Sequence, residues 1–320
     1  MPSDLSVAEA EAYLSAHSEV KERLEAALNL AVRARASDPL AFIASVLVPP
    51  TSPPVNSVVG SPKRFFLGAN WKCKLETPAD ASKLCGEICA TPFPDDVEVV
   101  LFVPTILIDV VRRQLLASRG RFQVGAQNVW EAVGPMGEHT GSTTATALVA
   151  AGVQWVMLGH SDRRNALGET SELIAKKAAA ALAAGLHVNL TLGETRDQRD
   201  AGAHLTALEA QLAPVFSALA GEANAVWDKI ALAYEPVWAI GEGATPCTPQ
   251  DAQAVHQHIR SLISEAVSPE AASMVRIAYT GSVSPANAAS YRELPDVDGF
   301  VCGRASLNAT DFLAVAVAGQ

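Results

Sequence analysis

The chain of 320 residues is long enough for one large domain, or for a large domain with a smaller one beside it. Hydrophobic residues make up 49% of the chain and charged residues 18%, which is typical of a globular protein with a substantial core. The net charge of −10 argues against a nucleic-acid-binding protein, which would normally present a basic face. A small anionic substrate stays possible, because local charge and backbone amides decide how such a ligand is held.

The sequence predicts neither insertion into a membrane nor export. No apolar run approaches the roughly 20 residues that span a bilayer, and no apolar stretch follows Met1 as in a signal peptide. Residues 1–62 contain seven acidic and four basic side chains, whereas transit peptides are usually poor in acids. We therefore expect a cytoplasmic protein. Its cysteines form no CxxC pair, and we interpret all five as reduced thiols: Cys73, Cys85, Cys89, Cys247 and Cys302.

Residues 1–48 have the pattern of two short amphipathic helices. Apolar residues recur at helical spacing from Val20 onward, with charged residues between them. Asp38 and Pro39 then suit the cap and the first position of a second helix. Residues 49–63 hold too many prolines for regular structure and are predicted to be a linker.

Two such helices cannot bury their apolar faces alone, so this segment predicts an association partner. Its second half, DPLAFIASVL (residues 38–47), completes a pattern that resembles the dimerisation helices of the Dpy-30 and RII type. That resemblance implies self-association or docking through residues 4–47. The alternative is an ordinary helical appendage.

From Phe65 onward, short apolar runs alternate with alanine-rich or amphipathic helical segments. Eight such strands over about 250 residues fit a (β/α)8 barrel, which we place at residues 64–320, with the N-terminal α-helical hairpin as an extension. A doubly wound open sheet is the alternative, but no glycine-rich dinucleotide fingerprint follows the first strand. The predicted strands are Phe65–Ala69, Val97–Val103, Phe122–Ala126, Val153–Leu158, Leu186–Leu192, Ile230–Tyr234, Met274–Tyr279 and Val297–Cys302.

Polar side chains accumulate at the predicted strand ends, where the functional residues of such a barrel lie. Asn70 and Lys72 belong to the first strand end, His160 to the fourth and Glu235 to the sixth. Taken singly, each has an ordinary structural interpretation, such as a solvated lysine or a salt-bridged acid. Together, a carboxylate base, an imidazole and an ammonium group suit the transfer of a proton next to a carbonyl.

Seven motifs, spread over nearly the whole of residues 65–320, have the order found in one enzyme family. They are ANWK (Ala69–Lys72), VGAQN (Val124–Asn128), LGHSDRR (Leu158–Arg164), LGE (Leu167–Glu169), AYEPVWAIGEG (Ala233–Gly243), GSV (Gly281–Val283) and DVDGFVCGRASL (Asp296–Leu307). On these motifs the chain resembles the triosephosphate isomerase family. The resemblance implies an aldose–ketose isomerase of glycolysis and gluconeogenesis. Such an enzyme acts on a small phosphorylated sugar, forms a homodimer and needs neither a metal nor an organic cofactor.

The resemblance also implies roles for the residues at the strand ends. Glu235 would carry the proton between adjacent carbons, and a neutral His160 would polarise the substrate oxygens. Lys72 and Asn70 would bind those oxygens. Three further residues would support this set: Glu169, Ser161 and Asp162.

A second group of residues is implied at the phosphate end of the substrate. Backbone amides of Gly241, Ser282 and Gly303 would hold the phosphate, with Arg304 beside them. Residues 236–246 would form a lid that excludes water from the reaction.

Several positions depart from the family pattern. The lid reads Gly241-Glu242-Gly243 instead of GTG, the ATPCTP segment after it is one residue longer, and Gly303-Arg304 replaces a glycine pair. Arg304 could bind phosphate, pair with Glu242 or point outward. The GE lid and the GR pair also resemble the barrel isomerases of tetrulose phosphates, so a four-carbon substrate such as erythrulose phosphate is the alternative. A silent sugar-phosphate-binding scaffold is a further one.

Three smaller departures concern the length of an acidic side chain, the dimer interface and the phosphate loop. Asp162 replaces the usual glutamate and is one methylene shorter. Ser142 replaces an acid that often supports the dimer interface, whereas Thr140 matches a residue that reaches into the partner's site. Thr280 stands where the phosphate loop usually has a second glycine.

Overall fold

A computed structural model describes most of the barrel and little of the N-terminal segment. It covers residues 63–118, 121–134, 138–241 and 244–320, and from the N-terminal segment seven helical residues: Leu24, Glu25, Ala27, Leu28, Asn29, Val32 and Ile43. The predicted hairpin, the linker and Glu242 of the lid therefore lie almost wholly outside the described residues. Internal contacts divide the chain into two units, Met1–Ser61 and Pro62–Gln320.

Eight parallel strands close into a barrel in which each strand pairs with its neighbours in chain order. This confirms the predicted (β/α)8 architecture. The strands are β1 (Phe65–Asn70), β2 (Val97–Val103), β3 (Phe122–Ala126), β4 (Trp155–Leu158), β5 (His187–Leu192), β6 (Ile230–Tyr234), β7 (Arg276–Tyr279) and β8 (Gly299–Cys302).

An outer layer of helices covers the barrel. The helices are α1 (Pro78–Ala90), α2 (Ile108–Leu115), α3 (Ala145–Ala150), α4 (Ser161–Leu167), α5 (Ser171–Ala183), α6 (Arg196–Asp200), α7 (His204–Ala218), α8 (Pro249–Ala266), α9 (Pro269–Met274), α10 (Ala288–Arg292) and α11 (Ala309–Val317). Many begin at a side chain that accepts a hydrogen bond from the backbone N–H three residues later, since first-turn N–H groups have no partner within the helix. These capping residues are Thr77, Thr144, Thr170, Thr195, Thr248, Ser268 and Asn308. Among the described helices, none is long and apolar enough to cross a lipid bilayer.

Four strands begin later than the sequence predicts. The predicted starts at Val153, Leu186, Met274 and Val297 are replaced by Trp155, His187, Arg276 and Gly299. Met274 is the last residue of α9, and Val153, Leu186 and Val297 are buried without being part of the sheet. The apolar residues at these positions are therefore buried, but they do not pair with a neighbouring strand. At the other end, β1 continues one residue further than predicted, to Asn70.

Alternate residues of each strand point into the barrel, as the period of two in a β-strand requires. The apolar residues of this interior are Phe66, Val100, Phe102, Trp155, Met157, Ala231, Ala233, Ala278 and Val301. Gly125 leaves room for the large ring of Phe102. A Cβ atom at this position would lie only 2.4 Å from that ring. The same alternation decides which polar residues face the mouth, because Asn70 continues the inward face of β1 and Glu235 that of β6.

The opposite end of the barrel is closed by a buried ion pair between Arg276 and Glu98, with side chains 9% and 13% exposed. The Arg276 guanidinium lies 5.3 Å from the centroid of the Phe66 ring and 5.4 Å from that of Trp155. Burial alone would raise the pKa of Glu98, but the Arg276 charge and hydrogen bond outweigh it and hold that pKa below its usual range. Since the pKa is lowered in the folded state, the stabilisation is present above the pKa of an unfolded glutamate. This stabilisation is lost as the pH falls through the pKa that Glu98 has in the folded protein.

We predict that Arg276→Met lowers the free energy of unfolding by about 3 kcal/mol, because it leaves the Glu98 carboxylate buried and unpaired. Urea unfolding followed by circular dichroism would measure the change. Arg113→Met is the matched control, since Arg113 is 61% exposed and pairs with Asp109 on the surface of α2. The control should lose at most about 1 kcal/mol. Equal losses in the two variants would contradict the assignment of a stabilising role to the buried pair.

Candidate active site

His160 and Glu235 face each other at the mouth of the barrel. His160 follows β4, Glu235 follows β6, and both side chains are buried. Nε2 of His160 lies 3.4 Å from Oε1 of Glu235. Gly193, at the end of the intervening β5, makes this approach possible: a Cβ atom there would lie 1.7 Å from the backbone oxygen of Glu235. A residue with any side chain would therefore displace the main chain that carries the acid.

The proton on His160 can be placed from a hydrogen bond at the start of α4. Nδ1 of His160 accepts the backbone N–H of Asp162 at 3.1 Å, and this bond caps the helix. A ring nitrogen that accepts a hydrogen bond carries no proton, so the imidazole is neutral with its proton on Nε2. That N–H donor faces the Glu235 carboxylate and the adjoining space.

The Glu235 carboxylate is buried but not left without partners. Ser161 donates its backbone N–H to Oε2 at 2.9 Å and its hydroxyl to Oε1 at 2.8 Å. A buried carboxylate without such donors would be costly to keep ionised. Ser161 thus supplies two hydrogen-bond donors to this buried carboxylate. A substrate that reaches Glu235 has to replace contacts made by Ser161.

Lys72 projects from a strained turn directly after β1. Its φ angle of 47° lies in the left-handed region, which costs a residue other than glycine about 1–2 kcal/mol. The turn is held from both sides: the Lys72 N–H donates to Oδ1 of Asn70 at 3.0 Å, and Gln127 donates to the Lys72 carbonyl at 3.0 Å. Nζ of Lys72 then lies 3.1 Å from the Asp162 carboxylate. The shorter aspartate therefore still reaches the lysine.

Glu169 lies in a buried network beside these residues. Its Oε1 accepts from Nε of Arg163 and from Nζ of Lys177, both at 2.7 Å. Lys177 also donates to Oδ1 of Asn128 at 3.2 Å. Burial alone would raise the pKa of Glu169, but the two cations outweigh it and hold the pKa below its usual range. Because Arg163 follows Asp162 in α4, the network fixes the helix that carries His160 and Ser161.

The sequence analysis assigned no role to three residues near this site, Lys177, Gln127 and Gly193. Lys177 carries a usable signal, since it lies three residues after Ile174 and four before Ala181 on the buried face of α5. A lysine on such a face needs a buried acid, and Glu169 supplies it. Gln127 falls inside the VGAQN motif and continues the inward alternation of β3. Gly193 has no local signal, because its role depends on a contact with residue 235.

The predicted phosphate-binding residues follow the neighbouring strands β6, β7 and β8. Ser282 and Arg304 are exposed there, and Arg304 begins the 3-10 helix Arg304–Leu307. The Ser282 carbonyl is fixed by Nδ2 of Asn287 at 2.8 Å. Gly241 has a φ angle of 116°, a conformation that favours glycine. The partner Glu242 lies outside the described residues, so the predicted pairing of Arg304 with Glu242 stays a prediction.

The structure therefore brings together one part of the predicted set. Asn70, Lys72, His160, Asp162 and Glu235 are linked by contacts, directly or through Ser161. In the part of the chain that is described, no group of three or more His, Cys, Asp or Glu side chains is arranged to hold a metal ion. The arrangement offers a charged base, a neutral N–H donor and an ammonium group around one space. This combination can take a proton from carbon and stabilise the resulting oxyanion.

We predict that Gly193→Ala lowers turnover about 100-fold, because the added Cβ atom displaces the backbone of Glu235 by roughly an ångström. Steady-state assays of the isomerase activity implied by the resemblance would measure it. Gly86→Ala is the matched control, since a Cβ atom at Gly86 on α1 meets nothing within 4 Å. Unchanged turnover in Gly193→Ala would show that the position of the base tolerates this shift.

Comparison with known proteins agrees with this geometry. A family model described as triosephosphate isomerase matches residues 65–318. The chain is 41% identical over 259 residues to the chloroplastic triosephosphate isomerase of Secale cereale, covering 81% of this chain and 83% of the relative. It is 42% identical over 250 residues to the cytosolic enzyme of Oryza sativa subsp. japonica, covering 77% and 93%. It is 40% identical over 260 residues to triosephosphate isomerase of Entamoeba histolytica, covering 80% and 97%. The resemblance drawn from the motifs is thus confirmed, and the chain belongs to the triosephosphate isomerase family.

Proposed function

We propose that the chain interconverts glyceraldehyde 3-phosphate and dihydroxyacetone phosphate. The observation that carries this proposal is that the buried carboxyl group of Glu235 lies 3.4 Å from Nε2 of His160, whose Nδ1 accepts a backbone hydrogen bond. A protonated imidazole would form an ion pair with Glu235 and would compete with the reaction for the base. A neutral one can donate to a substrate oxygen and leave the carboxylate available.

The proposed reaction moves one proton between adjacent carbons. Glu235 removes a proton from the carbon next to the carbonyl, and the electron pair of that C–H bond forms the carbon–carbon double bond of an enediolate. Nε2–H of His160 and the Lys72 ammonium stabilise the oxygen that gains negative charge. Nε2–H of His160 gives its proton to the former carbonyl oxygen and takes up the proton of the neighbouring hydroxyl. Glu235 then returns the carbon-bound proton to the neighbouring carbon, and the carbonyl reforms there. No atom is gained or lost.

The phosphate end of the substrate would lie over the ends of β6, β7 and β8. Backbone amides near Gly241, Ser282 and Gly303 would hold it, with the exposed Arg304 beside them. Relatives at about 40% identity are named triosephosphate isomerases, which favours a three-carbon over a four-carbon substrate. The proposed role is a step of glycolysis and gluconeogenesis. Relatives are named both chloroplastic and cytosolic, and the acidic composition of residues 1–62 supports our proposal of a cytoplasmic location.

We predict that Glu235→Gln lowers kcat by about 1,000-fold while leaving the binding of a phosphate-bearing analogue largely intact. The amide keeps the shape of the side chain but cannot accept a proton from carbon. Coupled steady-state assays and titration calorimetry would measure the two quantities. Glu87→Gln, on the exposed face of α1, is the matched control.

Two further measurements separate the alternatives. An isomerase exchanges the carbon-bound proton of its substrate with solvent deuterium, whereas a binding scaffold does not. The ratio of kcat/KM for glyceraldehyde 3-phosphate to that for erythrulose phosphates decides the substrate. Near-normal kcat in Glu235→Gln, or a preference for the four-carbon sugar, would contradict the proposed function.

We propose a homodimer formed through the loops that follow β2, β3 and β4. Ile106 is 85% exposed in the first of these loops, and Leu167 is 63% exposed at the end of α4. The loop after β3 contains Thr140, and its His139 ring lies 4.6 Å from that of Trp130. These loops follow adjacent strands, so exposed apolar side chains are grouped at one edge of the barrel mouth. Further association would run through residues 4–47.

We predict that Ile106→Asp converts the dimer to a monomer, because a charge would be buried in an apolar contact. Sedimentation equilibrium would give the mass, and Val317→Asp on α11, also at an exposed apolar position, is the control. Deleting residues 1–62 should remove only association beyond the dimer. An unchanged number of chains per assembly after the deletion refutes the association role of the N-terminal segment, and an unchanged number in Ile106→Asp refutes the barrel interface.

A further inference from the structure

Thr280 directly follows β7, at the mouth of the barrel. Arg276 and Ala278 face the barrel interior, so the alternation of the strand places Thr280 on the same inward side. Its side chain is half-buried. It stands where the phosphate loop of the family usually has a glycine, and the mechanism above gives it no role.

Thr280 is hydrogen-bonded to both neighbouring strands. Its backbone N–H donates to the carbonyl of Tyr234, the last residue of β6, at 2.9 Å. Its hydroxyl donates to the carbonyl of Val301 in β8 at 3.0 Å. Because the second bond is made by the side chain, a glycine at position 280 could not form it. The threonine therefore adds a contact between the end of β7 and β8.

The hydroxyl bond continues the seam between β7 and β8 beyond the backbone pairing of the two strands. The residues paired along this seam are Ala278 with Gly299 and Tyr279 with Phe300. Thr280 and Val301 are the next residues along the two strands, and the hydroxyl joins them. The carboxyl ends of β7 and β8 are thus held together at the mouth of the barrel.

The two loops that follow β7 and β8 start from this contact. Ser282 lies two residues after Thr280, and Gly303 lies two residues after Val301. Since both loops begin so close to the hydrogen bond, it sets the separation between their backbone N–H groups. A Cβ atom at Gly303 would meet nothing within 4 Å, so open space lies beside this backbone.

The Ser282 loop is braced internally by one side chain. Nδ2 of Asn287 donates to the Ser282 carbonyl at 2.8 Å, and Oδ1 of Asn287 accepts the backbone N–H of Ser284 at 2.8 Å. These bonds fix the shape of the loop but make no contact with β8. The position of the loop relative to β8 is therefore set at Thr280, where the hydroxyl reaches Val301.

We propose that Thr280 is a positioning residue for the phosphate group of the substrate. Its hydroxyl holds the Ser282 and Gly303 loops at a fixed separation, so that their N–H groups point at one anion before the substrate enters. The inference rests on the proposed function, which places the phosphate at these loops. Donors that are already in place bind an anion more tightly, because less free energy is lost in ordering them.

Thr280→Val tests this role, since valine keeps the shape of the side chain and lacks the hydroxyl. We expect the affinity for inorganic phosphate, measured by titration calorimetry, to fall about three- to tenfold, the effect of one hydrogen bond. The kcat/KM for glyceraldehyde 3-phosphate should fall by a similar factor relative to that for glyceraldehyde, which has no phosphate to position. A merely structural role would lower both kcat/KM values equally and leave their ratio unchanged.

Two further variants at this position separate the hydroxyl from the shape of the side chain. Thr280→Ser keeps the hydroxyl and should restore the phosphate affinity and the ratio of the two kcat/KM values. Thr280→Ala also removes the hydroxyl, places no methyl group against the Val301 carbonyl, and should give the same losses as Thr280→Val. Thr206→Val, on the exposed face of α7, is the matched control.

An unchanged phosphate affinity in Thr280→Val and Thr280→Ala overturns the inference, and so does an unchanged ratio of the two kcat/KM values. Absence of isomerisation in the wild-type chain overturns the proposed function instead. In that case the phosphate titration tests the role of Thr280 by itself.

Discussion

The Glu235 carboxylate lies in a buried position, and two hydrogen bonds from Ser161 hold it there. A buried carboxylate without such donors is costly, because it loses its hydrogen bonds to water and gains none from the protein. The donors must lie close to the end of β6 although they belong to the segment after β4. Gly193 meets that requirement, since the end of β5 leaves room for the backbone of Glu235. The absence of a side chain at Gly193 thus sets where the Glu235 carboxylate lies relative to its Ser161 donors.

The start of α4 combines three tasks in three consecutive residues. His160 caps the helix through Nδ1, Ser161 donates to Glu235, and Asp162 pairs with Lys72. Since one short helix start sets all three contacts, the relative positions of the imidazole, the carboxylate and the ammonium vary little with side-chain motion elsewhere. The buried pairing of Glu169 with Arg163 and Lys177 fixes the same helix from its other side. Rigid placement of this kind is what the transfer of a proton over a short distance requires.

The barrel, and the position of Asn70 and Glu235 at its mouth, could be predicted from the sequence because both follow from local periodicity. Asn70 and Glu235 each continue a strand whose inward face is set by alternation. Strand starts were misjudged where an apolar residue such as Val153 is buried outside the sheet. Gly193 could not be found this way, since its role rests on a contact with residue 235 that no local pattern encodes. Glu242 lies outside the described residues, and its role stays a prediction.

The segment before α8 is one residue longer than the family pattern, and Tyr291 on α10 donates a hydrogen bond to its last residue, Cys247. One additional residue in a connection of this length adds little closure entropy, so the insertion is tolerated thermodynamically. It does, however, add two backbone dihedrals to the connection between β6 and α8. The hydrogen bond from Tyr291 to the Cys247 carbonyl removes that freedom at the last residue, and the cap at Thr248 begins the helix immediately afterwards. The additional residue therefore leaves the junction of this segment with α8 fixed.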